Sequence, residues 1–282
     1  MTICNLCGGS VKESLLEIKL PDRFEKAFSI NEDDYVRHWK KCQMCGCAMN
    51  VMKPENERLL DAIGSEYYEI DLGDDLYHRF KQVMDLRPEA SDNHQRVIRI
   101  LSFLKKWRPS CINLDILDVG SGLGVFPARF LEIADTELVA NFVALEPDPK
   151  AAKHLEHING IEIRQTVLDH DFDDRKYDLV CLNKVLEHVK NPNQILGKIN
   201  TKLSDRGGIF YVEVPHINTI GNRPVTDNIL GALHKNLYCV NSLSNVLALN
   251  NFDILEAGFV SEPSGKLTCF AFATVSIDFW VR

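Results

Sequence analysis

From Asn113 onward, short apolar runs alternate with amphipathic stretches. The runs at 116–119, 142–145, 161–164, 179–182, 209–214, 252–257 and 267–274 have the length of buried strands. Between them, 126–134 and 193–203 space their apolar residues as helices do, and Asn191-Pro192 supplies a helix start for the second. Alternating β and α units predict an α/β fold with a mainly parallel, doubly wound sheet. In such a sheet, ligands bind beyond the carboxyl ends of the strands.

Upstream of this core the pattern changes. Val97, Ile100, Leu101 and Leu104 form a helical stripe; Ser91-Asp92-Asn93 reads as its cap and Pro109 ends it. Two more helical fragments fall around 57–63 and 76–84, with Tyr67-Tyr68 between them. The expected organisation is a small N-terminal unit over 1–54, a helical linker or cover over 55–112, and the main domain over 113–282.

The small unit carries two matching turns, Cys4-Asn5-Leu6-Cys7-Gly8 and Cys42-Gln43-Met44-Cys45-Gly46. A two-residue gap lets a tight turn aim both sulfurs at one ion, and the glycine after it admits a left-handed backbone. Two such turns supply the four thiolates of a tetrahedral, structural Zn2+ site at Cys4, Cys7, Cys42 and Cys45. A redox pair would need only one of them, at a helix N-terminus after a strand. Cys47 is a spare thiol beside Cys45. The spacer from Gly8 to Lys41 leaves room for a β-structured insert, making the unit zinc-ribbon-like. Its basic segment Arg37-His38-Trp39-Lys40-Lys41 reads as a solvated strand face, with contact to an anionic ligand or nucleic acid as the alternative.

Composition narrows the class of protein. Over 282 residues, 45% are hydrophobic and 26% charged, an ordinary globular mixture. The net charge of −8 opposes general nucleic-acid binding, which depends on Lys and Arg neutralising phosphate. No apolar run reaches the roughly 20 residues that span a bilayer. The first twenty residues lack a signal-peptide pattern, and nine cysteines then suggest thiols in a reducing compartment. The expected location is the cytoplasm, with no membrane association.

The first core strand runs into Asp118-Val119-Gly120-Ser121-Gly122-Leu123-Gly124. Glycines here let backbone N–H groups approach a ligand at a helix N-terminus. A dinucleotide fingerprint wants its third glycine at 125, where this chain has Val125. The second strand ends in Glu146, placed to accept both hydroxyls of a ribose. After the third strand comes Asp169-His170, where an adenine would be held, and the fourth strand leads into Asn183-Lys184-Val185-Leu186-Glu187-His188.

This ordered set resembles the class I S-adenosylmethionine-dependent methyltransferases from about Asn113 to the C-terminus. The resemblance implies a Rossmann-like seven-stranded sheet with a reversed last strand. By position it implies that Asp118, Gly120 and Gly122 line the methionine and ribose parts of S-adenosylmethionine, and that Glu146 binds the ribose. Asp169 and His170 would flank the adenine, and Asn183 would sit near the methionine part.

In-line methyl transfer to a hydroxyl or a carbon acid benefits from a general base. Candidates are His188 after the fourth strand, His216 after the fifth and His234 in the following loop. The zinc-type segment, this core, Glu213-Val214-Pro215 and His234 with Ser242-Leu243 beyond it together are similar to methyltransferases of sugar-nucleotide and cell-surface polysaccharide pathways. The carbon-methylating members carry an acidic residue and a second histidine or tyrosine just before the position of His234. Here those places hold Gly231, Ala232 and Leu233. The expectation is therefore O-methylation of a sugar-type small molecule. Carbon methylation of a nucleotide-linked keto-sugar, nucleic-acid methylation and an inactive zinc-dependent interaction module are the alternatives. The absence of an Asn/Asp-Pro-Pro-aromatic motif at Asn183 argues against base methylation. Oligomeric state is not legible.

Overall fold

The structure is a computed structural model. It describes residues 2–30, 35–61, 75–110, 112–169 and 172–276.

The chain opens with β1 (Thr2–Ile3) and β2 (Ser10–Ile18), then α1 (Arg23–Ala27), β3 (Arg37–Cys42) and β4 (Ala48–Val51). The strands form an antiparallel sheet in the order β1-β2-β3-β4, so the spacer between the cysteine turns is indeed β-structured. α1 begins at a capping box in which Asp22 accepts from the Phe24 and Glu25 N–H groups while Glu25 accepts from the Asp22 N–H. The solvated-face reading of the basic segment needs correction. Strand alternation turns Arg37 and Trp39 inward, where both are fully buried, and leaves only His38, Lys40 and Lys41 partly exposed. The Arg37 charge is accommodated by Glu25, 3.7 Å away, and by the Tyr35 hydroxyl that accepts from Nε at 3.0 Å.

α2 (Pro54–Asp61), α3 (Leu76–Met84) and α4 (Asp92–Trp107) follow. Ser91 caps α4 by accepting the His94 N–H, as its sequence suggests. Ile63 and Tyr67-Tyr68 lie outside the described residues. α4 lays Val97, Ile100, Phe103 and Leu104 on the main sheet, each worth about 1.5–3 kcal/mol by burial.

The main sheet holds β5 (Leu114–Val119), β6 (Val139–Leu145), β7 (Glu162–Arg164), β8 (Leu179–Asn183), β9 (Ile209–Pro215), β11 (Phe252–Ser261) and β12 (Leu267–Val275). Their order is β11-β12-β9-β8-β5-β6-β7. The pairs from β7 through β9 are parallel, and β12 runs antiparallel to both of its neighbours. All seven runs picked out by hydrophobic pattern are strands, and the last is reversed. Helices α5 (Val125–Ile133), α6 (Pro149–Leu155), α7 (Pro192–Lys202) and α8 (Val240–Leu249) connect them. Successive strand residues serve opposite faces: Ile116, Leu179, Cys181, Ile209 and Tyr211 pack under α4 and α5, while Leu117, Val180, Leu182, Phe210 and Val212 pack under α7 and α8. Burial on both faces is why these strands read as continuous apolar runs.

One short strand ties the two sheets together. β10 (Asn236–Leu237) lies between β9 and α8 in the chain but pairs with β4, as the fifth strand of the N-terminal sheet. Ile229, Leu230, Ala232 and Leu237 share one apolar cluster with Ile18, Phe24, Tyr35 and Trp39.

Candidate functional site

The site begins at the turn between β5 and α5. Gly120 has φ +76°, and a Cβ there would meet Val185 Cγ2 at 2.6 Å. Gly124 has φ +71°, and its Cβ would fall 2.2 Å from Ile158, so this glycine also allows helix packing. The Gly122 N–H donates to Glu146 Oε2 at 2.7 Å, and the Asp148 N–H donates to Oε1 at 3.0 Å. Burial pushes the Glu146 carboxyl up to about 7, against these two N–H groups. Asp118, 1% exposed, accepts from Asn183 Nδ2 at 3.0 Å, and burial pushes it up to about 6. Asn183 Oδ1 is buried with no hydrogen-bond partner, and so is Oδ2 of Asp148, the cap of α6. Buried polar atoms without partners at the crest of a sheet fit a polar ligand that arrives with its own donors.

A cleft of about 410 Å³ opens along this crest. Its lining includes Asp118, Gly120, Gly122 and Asn183 together with Glu187, His188 and His234. Glu146 stands behind the loop, bonded to Gly122, and is not part of the lining. Asp169 lies outside it too, exposed and paired with Lys198 Nζ at 2.9 Å. His170 lies outside the described residues. His216 does not line the cleft: its ring packs on Phe259 at 4.4 Å between centroids, and its Nδ1 accepts the Asn218 N–H.

The two cleft histidines meet edge to face, with ring centroids 4.4 Å apart. Nδ1 of His188 faces the Leu233 carbonyl at 3.3 Å, and Nδ1 of His234 faces the Ile229 carbonyl at 2.6 Å. A ring nitrogen facing a carbonyl must carry the proton, so both rings are Nδ1–H tautomers. Burial pushes His234 down to about 4 and His188 well below its ordinary value, leaving both neutral near pH 7. Beside them, Glu187 is 1% exposed, and burial pushes it up to about 8 against the nearby Lys184.

A buried charge network centred on Glu213 reaches the cleft through Arg96 and Lys184, which line it. Glu213 binds Arg96 at 2.5 Å, Arg99 at 3.2 Å and the Tyr211 hydroxyl at 2.7 Å, with Lys184 3.7 Å away. Burial alone would raise Glu213, but Arg96, Lys184 and Arg99 overcome it and hold the carboxyl well below the usual range.

The loop that carries His234 is held by the N-terminal unit. Asn50 Nδ2 donates to the His234 carbonyl at 2.8 Å and to the Gly231 carbonyl at 3.1 Å. Arg37 Nη1 donates to the Leu230 carbonyl at 2.7 Å, and the Ala232 N–H donates to Asp22. Asp61 adds ion pairs to Lys190 and Lys235, each at 2.7 Å.

The two cysteine turns converge. Sγ atoms of Cys4, Cys7, Cys42 and Cys45 all lie within 4.8 Å of one another. Cys4 and Cys45 are 3.8 Å apart and Cys7 and Cys42 3.6 Å, close to the roughly 3.8 Å edge of a tetrahedron with 2.3 Å zinc–sulfur bonds. Gly8 and Gly46 both adopt φ near +80°, and the Met44 N–H points at Cys42 Sγ. Cys47 stands 3.4 Å from Cys4 and 3.5 Å from Cys45, inside the same cluster.

A seven-stranded sheet with its last strand reversed, and a glycine turn opening onto a cleft at the crest, defines a Rossmann-like methyltransferase fold. The chain belongs to the methyltransferase domain family, whose model matches residues 76–257, and it is an enzyme of that class. That match starts at α3, before the first strand of the main sheet. No curated protein matches the sequence. Among solved structures, the chain is similar to the plantazolicin methyltransferase BpumL, in complex with a monoazolic desmethylPZN analog and SAH. The identity is 12%, coverage is 79% of this chain and 97% of that one, and the TM-score is 0.58. It is also similar to magnesium protoporphyrin IX methyltransferase (ChlM) from Synechocystis PCC 6803 with bound SAH (16%, 74% and 97%, TM-score 0.52). A third is the N-methyltransferase NodS from Bradyrhizobium japonicum WM9 with S-adenosyl-L-homocysteine (11%, 72% and 99%, TM-score 0.50). Similarity at these identities concerns the fold. No helix among the described residues is long and apolar enough to cross a membrane.

Proposed function

We propose that the chain transfers a methyl group from S-adenosylmethionine to a hydroxyl of a polar, sugar-type small molecule. The observation that carries this reading is the cleft itself. It brings the Gly120–Gly122 turn, Asp118 and Asn183 into one lining with the His188–His234 pair. S-adenosylmethionine supplies an already activated methyl on a sulfonium, so the protein's main task is alignment and exclusion of water. Asn183 Oδ1 and the Asp118 carboxylate are acceptors suited to an ammonium group; Glu146 and Asp148, beside the turn and outside the cleft lining, carry acceptors suited to ribose hydroxyls. Solved relatives of the same fold contain SAH, which supports that cofactor.

The rest of the lining supports a hydrophilic acceptor: Arg79, Asp92, Asn93, Arg96, Lys184, Glu187, Asn228, Glu262 and Lys266 outnumber its apolar residues. An acceptor hydroxyl placed there loses its proton as the methyl arrives. A ring nitrogen of His188 or His234 accepts that proton; because burial lowers both rings, the gain lies at the low end of the general-base range, about 10²-fold in rate. We further propose that Cys4, Cys7, Cys42 and Cys45 hold one structural Zn2+. A closed set of four thiolates leaves no open position for chemistry, and the ion would instead stabilise the unit that holds the His234 loop.

The test is a panel of nucleotide sugars, glycan precursors, RNA and DNA incubated with the enzyme and methyl-labelled cofactor. Label is expected on a sugar-type acceptor, in an alkali-stable ether. Label on nucleic acid, or on a carbon or nitrogen of the product, would overturn the assignment.

A further inference from the structure

We propose that Glu187, His188 and His234 form a binding site for one divalent transition-metal cation at the acceptor end of the cleft. Each of the three offers one ligand atom, and these atoms lie within 4.8 Å of one another. An ion with bonds of about 2.1 Å needs neighbouring donors about 3.0–3.5 Å apart, so closure asks for a rotamer adjustment of the order of 1 Å.

Three independent features favour a metal over a simple histidine pair. First, Glu187 is 1% exposed, yet its Oε2 has no hydrogen-bond partner. A buried carboxylate oxygen without a partner is costly, and a cation is the ligand that satisfies it best. Second, both imidazoles give Nδ1–H to backbone carbonyls, of Leu233 and Ile229. That arrangement puts the lone pair on Nε2 and fixes the ring orientation, as metal-bound histidines generally require. Third, the three residues come from two segments stitched together. The Lys235 N–H donates to the Glu187 carbonyl at 2.7 Å, and the Tyr238 hydroxyl donates to the Leu186 carbonyl. The donors are therefore held by the fold and not by a long exposed loop.

Two imidazoles and one carboxylate select a transition metal over Mg2+ or Ca2+, which prefer all-oxygen sets. All three residues line the same cleft as the glycine turn, so a cation held by only three protein ligands keeps open positions for an acceptor. An acceptor hydroxyl bound to it becomes more acidic. Its proton passes to solvent and its oxygen forms a bond to the methyl as the S–CH3 bond of the sulfonium breaks, the electron pair staying on sulfur and S-adenosylhomocysteine leaving; the imidazoles act as neutral ligands instead of bases. This use of the ion rests on the methyl-transfer reading; the binding of the ion does not.

Mn2+ is the probe of choice because its preference for nitrogen and oxygen donors leaves the thiolate cluster undisturbed. The full chain is dialysed against citrate and titrated with Mn2+, following the signal of the free ion by electron paramagnetic resonance. One Mn2+ per chain is expected, and Mg2+ in excess should not displace it. Glu187→Gln and His234→Gln should each weaken binding at least tenfold. Melting temperature and calorimetry with SAH report whether each variant is folded; His188→Gln replaces one that is not. No stoichiometric Mn2+ on the wild-type chain, or undiminished binding by folded variants, overturns the site. SAH binding without Mn2+ sinks the cation and spares methyl transfer, whereas Mn2+ binding without SAH supports the cation and sinks methyl transfer.

Discussion

Glu146 is the sharpest handle on the cofactor side of the cleft, because its protonation state is set by burial and falls within the working pH range. Its carboxyl is pushed up to about 7. Ribose hydroxyls donate best to the ionised form, so ligand binding should strengthen as the carboxyl loses its proton. The ionised fraction is about one-tenth at pH 6 and about nine-tenths at pH 8, which predicts roughly tenfold tighter binding at pH 8. The ligand should be 5′-methylthioadenosine, which carries the ribose and adenine without a titratable amino-acid end. Isothermal calorimetry at several pH values between these limits reads the effect directly. Glu146→Gln keeps the shape but turns one oxygen into a donor facing either the Gly122 or the Asp148 N–H. Losing a hydrogen bond to a charged acceptor costs about 1.5–3 kcal/mol, so the variant should bind at least about tenfold more weakly at pH 8 and show a flat pH profile. Stability of the ligand-free chain should run the other way. A carboxyl raised on folding stabilises the fold below its unfolded value, near 4.3, and that contribution is lost as pH rises through about 7. A wild-type affinity that stays flat from pH 6 to pH 8, or a glutamine variant that binds like the wild type, would refute the reasoning.

Other parts of the molecule make equally concrete forecasts. Replacing Cys4 and Cys42 by serine should remove one zinc per chain and lower the melting temperature; metal analysis still finding one zinc would reject the thiolate site. Glu213→Gln strips the counter-charge from Arg96, Arg99 and Lys184 and should destabilise the chain by about 3–5 kcal/mol in denaturant unfolding. Asn50→Ala removes two hydrogen bonds to the His234 loop without touching the cofactor wall. It should leave SAH affinity unchanged while slowing methyl transfer by up to about 10²-fold, the cost of a misplaced reacting group; a parallel loss of SAH affinity would contradict that division of labour.

The main sheet was readable because its strands are buried on both faces and its helices on one, so each element announced itself within ten or so residues. The local chemistry of the glycine turn and of the two cysteine turns was readable for the same reason: its spacing is short. What the sequence could not reveal depends on pairings across long distances. Nothing near Asn236 says that this dipeptide completes a sheet begun at Thr2. The inward turn of Arg37 and Trp39 follows from alternation, but the basic composition of the segment masked it. Glu187 was passed over beside His188 because a carboxylate next to a histidine carries no signal until the fold brings His234 against both. Asp148 was hidden as an ordinary helix cap, and only its unpartnered oxygen sets it apart. Conversely, His188, His216 and His234 looked equivalent as loop histidines, and only the tertiary structure separates the pair in the cleft from the one against Phe259.

The central claim is that the crest of β5, β6 and β8 binds an adenosyl sulfonium. A crystal structure of the full chain grown with SAH tests it most directly. The account predicts the homocysteine end at Asp118 and Asn183, the ribose within hydrogen-bonding reach of Glu146, and the sulfur facing His188 and His234. An empty cleft at saturating ligand, or SAH bound elsewhere on the chain, would contradict it.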